Sequence, residues 1–373
     1  MRLGLLARRF NPRGGGTERD LLVSAEFLRR AGHEVMVLAA QVVSAGDLPF
    51  LVRRLPAPPG RIPGLLVFGL RAAAEARRQG ARLVLSFART VGSDLLRSGG
   101  GAHAAFVRAA ARWQDPAQRL AMRLSPYHRL QLWLERRAFA FAGLRKVVAV
   151  SNLVRGQLLA EFAPAPDRVV TLYNGVDLDL FNPRRKAAAR PALRERLGLA
   201  PQAPVAVFAG DGFARKGLGF LLTAWSRLQL PAHLVVAGAD RTAGGYRRRA
   251  RALGIDGRVH FVGRQTEVAD LLAGADALVL PSLFEPFGNV VMEAMACGVP
   301  ALATRQCGVA ELMTGELARL VVAEPTDPAE LGARIEELLA RSREMAACAR
   351  QAAERHPWER YGGELTRLVA ALA

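Results

Sequence analysis

The sequence predicts an α/β protein made of two doubly wound parallel sheets, one in each half of the chain. Short apolar runs alternate with amphipathic runs from the first residues. Several apolar runs are continuous rather than alternating, the pattern of strands covered on both faces. Near the middle, the polar, proline-punctuated stretch DLFNPRRKAAARPALRERLGLAPQAP interrupts the rhythm before it resumes. With 373 residues, 51% of them hydrophobic, the chain can bury two cores of ordinary domain size.

The elements follow in order. LGLLA reads as a strand, NPRGGG as a turn, TERDLLVSAEFLRRAG as an amphipathic helix and HEVMVLAA as a second strand, a βαβ opening. Thr17 is the expected N-cap of that helix, with Asp20 three residues on, and Gly32 its stop. RLVLSFA and RKVVAVS continue the first sheet, and the interrupting stretch places a domain boundary near Pro183–Ala203, giving domains 1–182 and 183–356. VAVFAG, HLVVAG, RVHFVG and ALVLPS then form a second sheet, and PWERYGGELTRLVAALA is a closing helix after a proline.

Composition narrows the class. No apolar run approaches the ~18 residues of a membrane span, and the opening MRLGLLARRFNP lacks the h-region of a secretory signal, so a cytoplasmic protein is expected. Cys297, Cys307 and Cys348 lack both C-x-x-C spacing and an even count, which argues against a disulfide framework or a zinc site. The net charge of +19 suits anionic partners, and it is uneven: residues 1–182 carry 27 Lys and Arg against 13 acids, residues 183–373 carry 25 against 20. Only three of the 52 basic residues are lysines, Lys146, Lys186 and Lys216, a skew that looks like base-composition bias.

Two stretches carry chemistry. In PSLFEPFGNVVMEAMACGVPAL, Pro281 stops a strand, Gly288 and Asn289 start a helix, and Gly298 and Pro300 end it. Glu285 thus lies in a loop at a strand's carboxyl end and Glu293 about one turn into the helix. Both can face one crevice beside first-turn amides, an arrangement for an anion or a hydroxyl-rich ligand. Alternatively, Glu285 is a solvated loop acid and Glu293 complements the helix dipole. In VFAGDGFARKGLGFLLTAW, Arg215 and Lys216 stand at a strand-to-helix turn and would suit a diphosphate, Arg as a two-donor fork and Lys as a point charge. The G-x-G there lacks the third glycine of a dinucleotide fingerprint.

Together NGVDLDLFNP (174–183), GDGFARKG (210–217), VHFVGRQTEVADLLAGADALVLPS (259–282) and EPFGNVVMEAMACGVPAL (285–302) resemble the retaining glycosyltransferases of family 4. The resemblance implies the GT-B fold, two Rossmann-like domains facing a central cleft, with the closing helix 357–373 crossing back onto the first domain. It implies a nucleotide-sugar donor, no metal and no other cofactor. By motif position Arg215 and Lys216 would bind the diphosphate, Glu293 the ribose and Glu285 the transferred sugar. Amides at Phe287, Gly288 and Asn289 would touch sugar and phosphates, and the backbone near Gly263 and Arg264 would read the base. His103, in RSGGGAHAAFV, occupies the place of a histidine near the reacting sugar, so His103, Lys216 and Glu285 are the catalytic candidates. Gly14, Gly15 and Gly16 would bring backbone amides to donor and acceptor, with Asp20 and Asp94 as further acceptor-side candidates.

Between Arg97 and Lys146 there are ten Lys and Arg against two acids, interleaved with Leu, Met, Trp, Tyr and Phe in WQDPAQRLAMRLSPYHRLQLWLERRAFAF. Such a stretch, residues 106–141, would lie on an anionic membrane, or would simply be amphipathic helices covering the first sheet. No zinc-finger or RNP signature accompanies it, so nucleic acid is not an expected partner. GGGTERDLL, GSDLL and the basic aromatic segment, in that order, resemble the bacterial lipopolysaccharide core glucosyltransferases. That implies a hexose, glucose from UDP-glucose, passed to a lipid-linked anionic glycan at the cytoplasmic face of the inner membrane. Mannosyl-, galactosyl- or N-acetylglucosaminyl transfer to another glycan is the alternative within the class. A non-catalytic membrane or nucleic-acid binding protein that keeps the fold is the alternative outside it.

Overall fold

The computed structural model describes residues 1–12, 14–44 and 47–373. The chain divides into two compact units, Met1–Asn174 with Trp358–Ala373, and Gly175–Pro357.

Among the described residues the first unit holds seven parallel strands: β1 (Arg2–Phe10), β2 (Glu34–Val42), β3 (Leu51–Arg54), β4 (Leu83–Ser86), β5 (Leu95–Ser98), β6 (Lys146–Ala149) and β7 (Val169–Thr171). Their order is β3-β2-β1-β4-β5-β6-β7. The helices are α1 (Gly16–Arg30), α2 (Arg61–Arg78), α3 (His103–Ala109), α4 (Pro116–Leu124), α5 (Pro126–Phe139), α6 (Asn152–Phe162) and, from the chain's end, α14 (Trp358–Ala370). Trp358, Tyr361, Leu365 and Val369 of α14 share one core with Leu21, Ala25 and Leu28 of α1 and with Leu3 and Leu5 of β1. The close approach depends on Gly362, where a Cβ would collide with the Phe27 ring. A hydrogen bond between Ser24 Oγ and Tyr361 Oη, at 2.7 Å, ties the two helices inside that core.

The second unit holds β8 (Val205–Ala209), β9 (His233–Ala237), β10 (Val259–Gly263), β11 (Ala277–Val279), β12 (Ala301–Thr304) and β13 (Val321–Val322), all parallel. Their order is β10-β9-β8-β11-β12-β13, which reverses direction between β8 and β11. Its helices are α7 (Lys186–Leu197), α8 (Leu218–Trp225), α9 (Ala243–Ala252), α10 (Val268–Gly274), α11 (Asn289–Ala296), α12 (Pro328–Ala340) and α13 (Ser342–Glu354). In doubly wound sheets a ligand site forms where the order reverses, outside the carboxyl ends of the strands.

Two local expectations are corrected. Thr17 is not the cap of α1: the helix begins at Gly16, with Gly15 as an extended N-cap and no side-chain capping bond. The proline-punctuated stretch holds no boundary: its central part is α7, which carries Pro191 within it and packs on α10, and the division between compact units falls earlier, at 174/175.

Candidate functional site

In the second unit the two motif stretches leave adjacent strands at the point of reversal. β8 runs into Gly210–Gly217 and then α8, while β11 runs into Leu280–Gly288 and then α11. Gly217, the N-cap of α8, holds φ +78°, and a Cβ there would collide with the carbonyl oxygen of Pro281, so glycine lets the two loops touch. Leu283 N–H donates to Arg215 O at 2.8 Å, locking them together. At Gly210, φ +126°, a Cβ would stand 2.6 Å from Lys216 Cε, so the same economy makes room for the lysine stem.

These contacts bring Arg215, Lys216 and Glu285 into one cluster. Lys216 Nζ donates to Glu285 Oε2 at 2.6 Å and Arg215 Nη1 to the same oxygen at 3.0 Å; Arg215 Nη1 also donates to Phe284 O at 2.6 Å. Glu285 is fixed from behind, its N–H donating to Gln306 O at 2.9 Å and its carbonyl accepting from Gly308 N–H at 3.0 Å. Burial alone would raise the Glu285 carboxyl, but the charges and hydrogen bonds of Lys216 and Arg215 outweigh it and hold the group at about 2. The cluster therefore carries two cations against one carboxylate, a net positive charge at the head of two loops. Glu285 Oε1 makes no hydrogen bond among the described residues.

The other residues expected in this half fall around the cluster. Phe287 and Gly288 are buried, so they would contribute backbone rather than side chain; Gly288 is the N-cap of α11, Asn289 its first residue, and Glu293 lies one turn further along it, half-buried. Gly263 and Arg264 border a cavity of about 410 Å³ at the carboxyl ends of β8, β9 and β10, lined also by Phe213, Asp240, Arg247 and Phe261. Its volume is in the range of small-molecule sites.

Sequence reasoning missed the residues that shape this cavity. Asp211 accepts Ala239 N–H at 2.8 Å with one oxygen and pairs with Arg264 at 2.5 Å with the other. Asp240 accepts Phe213 N–H at 2.8 Å and the Thr242 N–H and hydroxyl at 2.8 and 2.6 Å. Burial would raise its carboxyl, and these bonds hold it below the ordinary value instead. The Arg247 guanidinium lies 5.1 Å from the centre of the Phe261 ring. The available signal was that both aspartates stand within two residues of a glycine at a strand's end, in GD and GAD.

The first unit holds the rest. Gly15 and Gly16 are exposed at the start of α1, and Gly14 N–H donates to Asn11 O at 2.8 Å. His103, buried, opens α3 just beyond the glycine run that follows β5. Its N–H donates to Glu135 Oε2 at 2.9 Å, and its Nε2 lies 3.0 Å from His128 Nδ1. Burial, then Arg89, then His128 push the His103 imidazole down to about 3, so it is neutral at physiological pH.

The two acceptor-side aspartates are corrected. Asp20 belongs to the buried face of α1 with Leu21, Ser24, Ala25 and Leu28, and its carboxylate pairs with the buried Arg97 at 2.9 Å. Asp94 precedes β5, at the amino end of the sheet, where it pairs with Arg77 at 2.9 Å and accepts Val84 N–H at 2.7 Å. Both hold the fold together rather than face a ligand at the carboxyl ends of the strands.

A positively charged cluster stands at the reversal point and a cavity of about 410 Å³ lies at the carboxyl ends of the same sheet, and comparison with known proteins identifies the class. Residues 14–180 match the model of Glycosyltransferase Family 4 and residues 189–355 that of Glycosyl transferases group 1. The chain belongs to the family 4 glycosyltransferases of GT-B fold. It is 33% identical over 240 residues to a D-inositol 3-phosphate glycosyltransferase of Catenulispora acidiphila, covering 61% of this chain and 55% of that protein. It is 26% identical over 224 residues to the lipopolysaccharide glucosyltransferase WaaG of Escherichia coli, covering 59% of this chain and 60% of that one. The chain thus spans little more than half the length of these curated relatives. A crystal structure of WaaG superposes with TM-score 0.82 at 22% identity, over 98% of this chain and 99% of that one. Anabaena HepE in complex with UDP-glucose gives 0.72 at 18% identity, over the whole of both chains.

Proposed function

We propose that this protein transfers a hexose, glucose from UDP-glucose, with retention of configuration and without a metal, to the lipopolysaccharide core or a similar lipid-linked anionic glycan. The observation that carries the reading is the Arg215–Lys216–Glu285 cluster beside the cavity of the second unit. The nucleoside occupies the cavity, its base read by the backbone at Gly263 and Arg264 and its ribose hydroxyls by Glu293. The diphosphate lies against Arg215 and Lys216, which stabilise the charge that grows on the leaving group as the glycosidic bond breaks, the work a metal would otherwise do. Glu285 Oε1 accepts a hydroxyl of the transferred sugar, while amides at Phe287, Gly288 and Asn289 meet sugar and phosphate. In the first unit, Gly15 and Gly16 contribute amides and His103 a neutral imidazole. The acceptor hydroxyl attacks from the face the nucleotide leaves, passing its proton to a donor phosphate oxygen, so positioning and electrostatics replace a protein nucleophile.

An anionic membrane surface as the acceptor's platform has its own support. Of the large apolar side chains exposed among the described residues, Leu120 and Leu124 lie on α4 and Trp133 on α5, between Arg119, Arg123, Arg129 and Arg137. Ile62, Leu66 and Leu70, four residues apart, add a stripe along α2, which packs on α5. Arginines around apolar side chains match the phosphates and the upper acyl region of a bilayer. No helix among the described residues is long and apolar enough to cross a membrane, so the contact is peripheral. Other residues of segment 106–141 pack on one another instead: Phe106 and His128 lie against His103, Trp113 against Phe106 and Tyr127 against His128.

A second acceptor reading, a phosphorylated polyol, is favoured by the relatives named as D-inositol 3-phosphate glycosyltransferases. A thermal-shift screen of UDP-, GDP- and ADP-sugars tests the donor, since a bound donor stabilises the fold by linkage. Transfer assays with and without chelator, the anomer read by NMR, test the rest. Loss of donor turnover in Lys216→Ala with the fold intact marks a catalyst. Unchanged partner binding with no turnover in either form marks a non-catalytic binding protein.

A further inference from the structure

His103 is held both through its backbone and through its ring. Its N–H is taken by Glu135, whose other oxygen accepts Arg89 Nε at 2.9 Å, and Arg89 Nη2 donates to Gly101 O at 3.2 Å, fastening the end of the glycine run. The imidazole packs with Phe106, centres 5.7 Å apart, and with His128 of α5, centres 5.2 Å apart and planes 15° from parallel, the Phe106 and His128 rings lying 6.4 Å from each other, so that the three form a triangle. Tyr127 meets the His128 ring edge-on, and the Arg61 guanidinium of α2 lies 3.7 Å over Tyr127. The charged and titratable groups facing the histidine pair are therefore Arg89, Arg61, Glu135 and Tyr127. Burial and these arginines keep both imidazoles below their ordinary value.

The 3.0 Å contact between His103 Nε2 and His128 Nδ1 has a chemical consequence. Two neutral imidazoles share one proton across such a bond, so one ring donates and the other accepts. His103 Nε2 is thereby committed. Nδ1, which has no hydrogen-bond partner among the described residues, is the ring atom left to meet a substrate. Whether it arrives as N–H donor or as lone-pair acceptor is set by which way the shared proton sits. If His128 donates, His103 carries its proton on Nδ1; if His128 accepts, His103 Nδ1 is bare.

We infer that His128 is a positioning residue: its Nδ1 holds His103 Nε2 so that His103 presents Nδ1, in one orientation and in a tautomer coupled to that of His128, to a hydroxyl of the reacting sugar. This rests on the glycosyltransferase reading only for the identity of that hydroxyl. The hydrogen bond and its control of the tautomer stand or fall separately.

Three variants divide the bond from the packing. His128→Asn keeps a polar atom near the Nδ1 position, His128→Phe keeps a ring of similar stacking area without the bond, and His103→Ala removes the object of the positioning. In the full chain, kcat for sugar transfer is expected to fall by about tenfold or more in His128→Phe and to stay within about threefold of the parent in His128→Asn. The KM for donor should stay unchanged in both. The His103→Ala, His128→Phe double variant should be no slower than His103→Ala alone, because the two residues act as one unit. The acid limb of the pH–rate profile should move up in His128→Phe, because the electrostatic contribution of His128 that helps hold the His103 imidazole down is removed while burial and Arg89 remain. Independently of activity, ¹⁵N NMR of the imidazoles should show His103 and His128 in the matched tautomers that the bond requires in the parent, and a changed His103 tautomer population in His128→Phe. Parent-like kcat in His128→Phe together with an unchanged His103 tautomer would overturn the inference, as would additive losses in the double variant. If no variant and no parent protein transfers sugar, the functional reading fails while the NMR spectra still decide the role of His128.

Discussion

Replacing Glu285 with glutamine isolates what its charge contributes, because glutamine has nearly the shape of the protonated acid. Holding the carboxyl at about 2, against an ordinary value of 4.5, favours its ionised form in the folded chain by about 3 kcal/mol. The isosteric neutral side chain forfeits that amount and leaves the buried Lys216 with no carboxylate within ion-pair distance among the described residues. For a unit of this size about 3 kcal/mol lowers the melting midpoint by roughly 6–12 °C. The sign of the pH dependence follows from the depressed value. The stabilisation is complete above pH 4.5 and drains away as pH falls towards 2, so the gap between parent and Glu285→Gln should be constant near neutrality and close in acid. Function should split in an informative way. UDP lacks the sugar that Glu285 would hold and meets cations freed from an internal competitor, so its affinity is retained or rises, whereas sugar transfer falls on the order of a hundredfold. Calorimetric melts across pH and titration with UDP provide the assay. An unchanged melting point combined with weaker UDP binding would refute the reasoning, since it would mean that Glu285 neither pairs with the cations nor competes for them.

Gly217→Ala should destabilise the second unit by more than about 2 kcal/mol, measured by denaturant titration, because φ +78° and the collision with Pro281 O act together. Arg264→Ala should leave stability within about 1 kcal/mol, its ion pair with Asp211 being exposed, yet change the preference among nucleoside diphosphates in a binding competition. Leu66→Glu with Leu70→Glu should keep the melting point and abolish flotation with anionic vesicles; equal binding to neutral vesicles at high salt would reject the electrostatic part of the account.

The fold was legible because its signals are local. Continuous apolar runs such as VAVFAG and ALVLPS mark strands buried on both faces, and each is a strand within one sheet. The two loops of the cluster were legible for a related reason: a glycine beside a charged pair at a strand's end constrains a turn whatever lies around it. That Lys216 and Arg215 share one oxygen of Glu285, about seventy residues away, was not legible, since only the order of β8 and β11 in the sheet makes them neighbours. The middle of the chain misled for the opposite reason. Prolines and charges suggest a domain boundary, but tertiary packing on α10 overrides the propensity of Pro191 and keeps α7 helical.

The aspartates near the glycine loop show where a stricter reading of the period would have succeeded. Asp20, Ser24 and Leu28 recur every four residues, which puts them on one stripe of the helix with Leu21 and Ala25, and that stripe is apolar apart from the first two. A carboxylate on such a stripe is carried into the core and must find a cation there, and the one it meets is the buried Arg97 of β5. The same demand explains why the pair cannot be traded for a ligand contact. Arg97 also donates to Asn174 at 2.5 Å and lies 5.9 Å from the Tyr361 ring centre, so Asp20 fixes the guanidinium that joins the last residue of the unit's main segment to its closing helix. Asp20→Asn should therefore lower the melting point of the first unit by breaking a buried pair, and leave UDP affinity in the second untouched. A loss of UDP binding without loss of stability would return Asp20 to the ligand side.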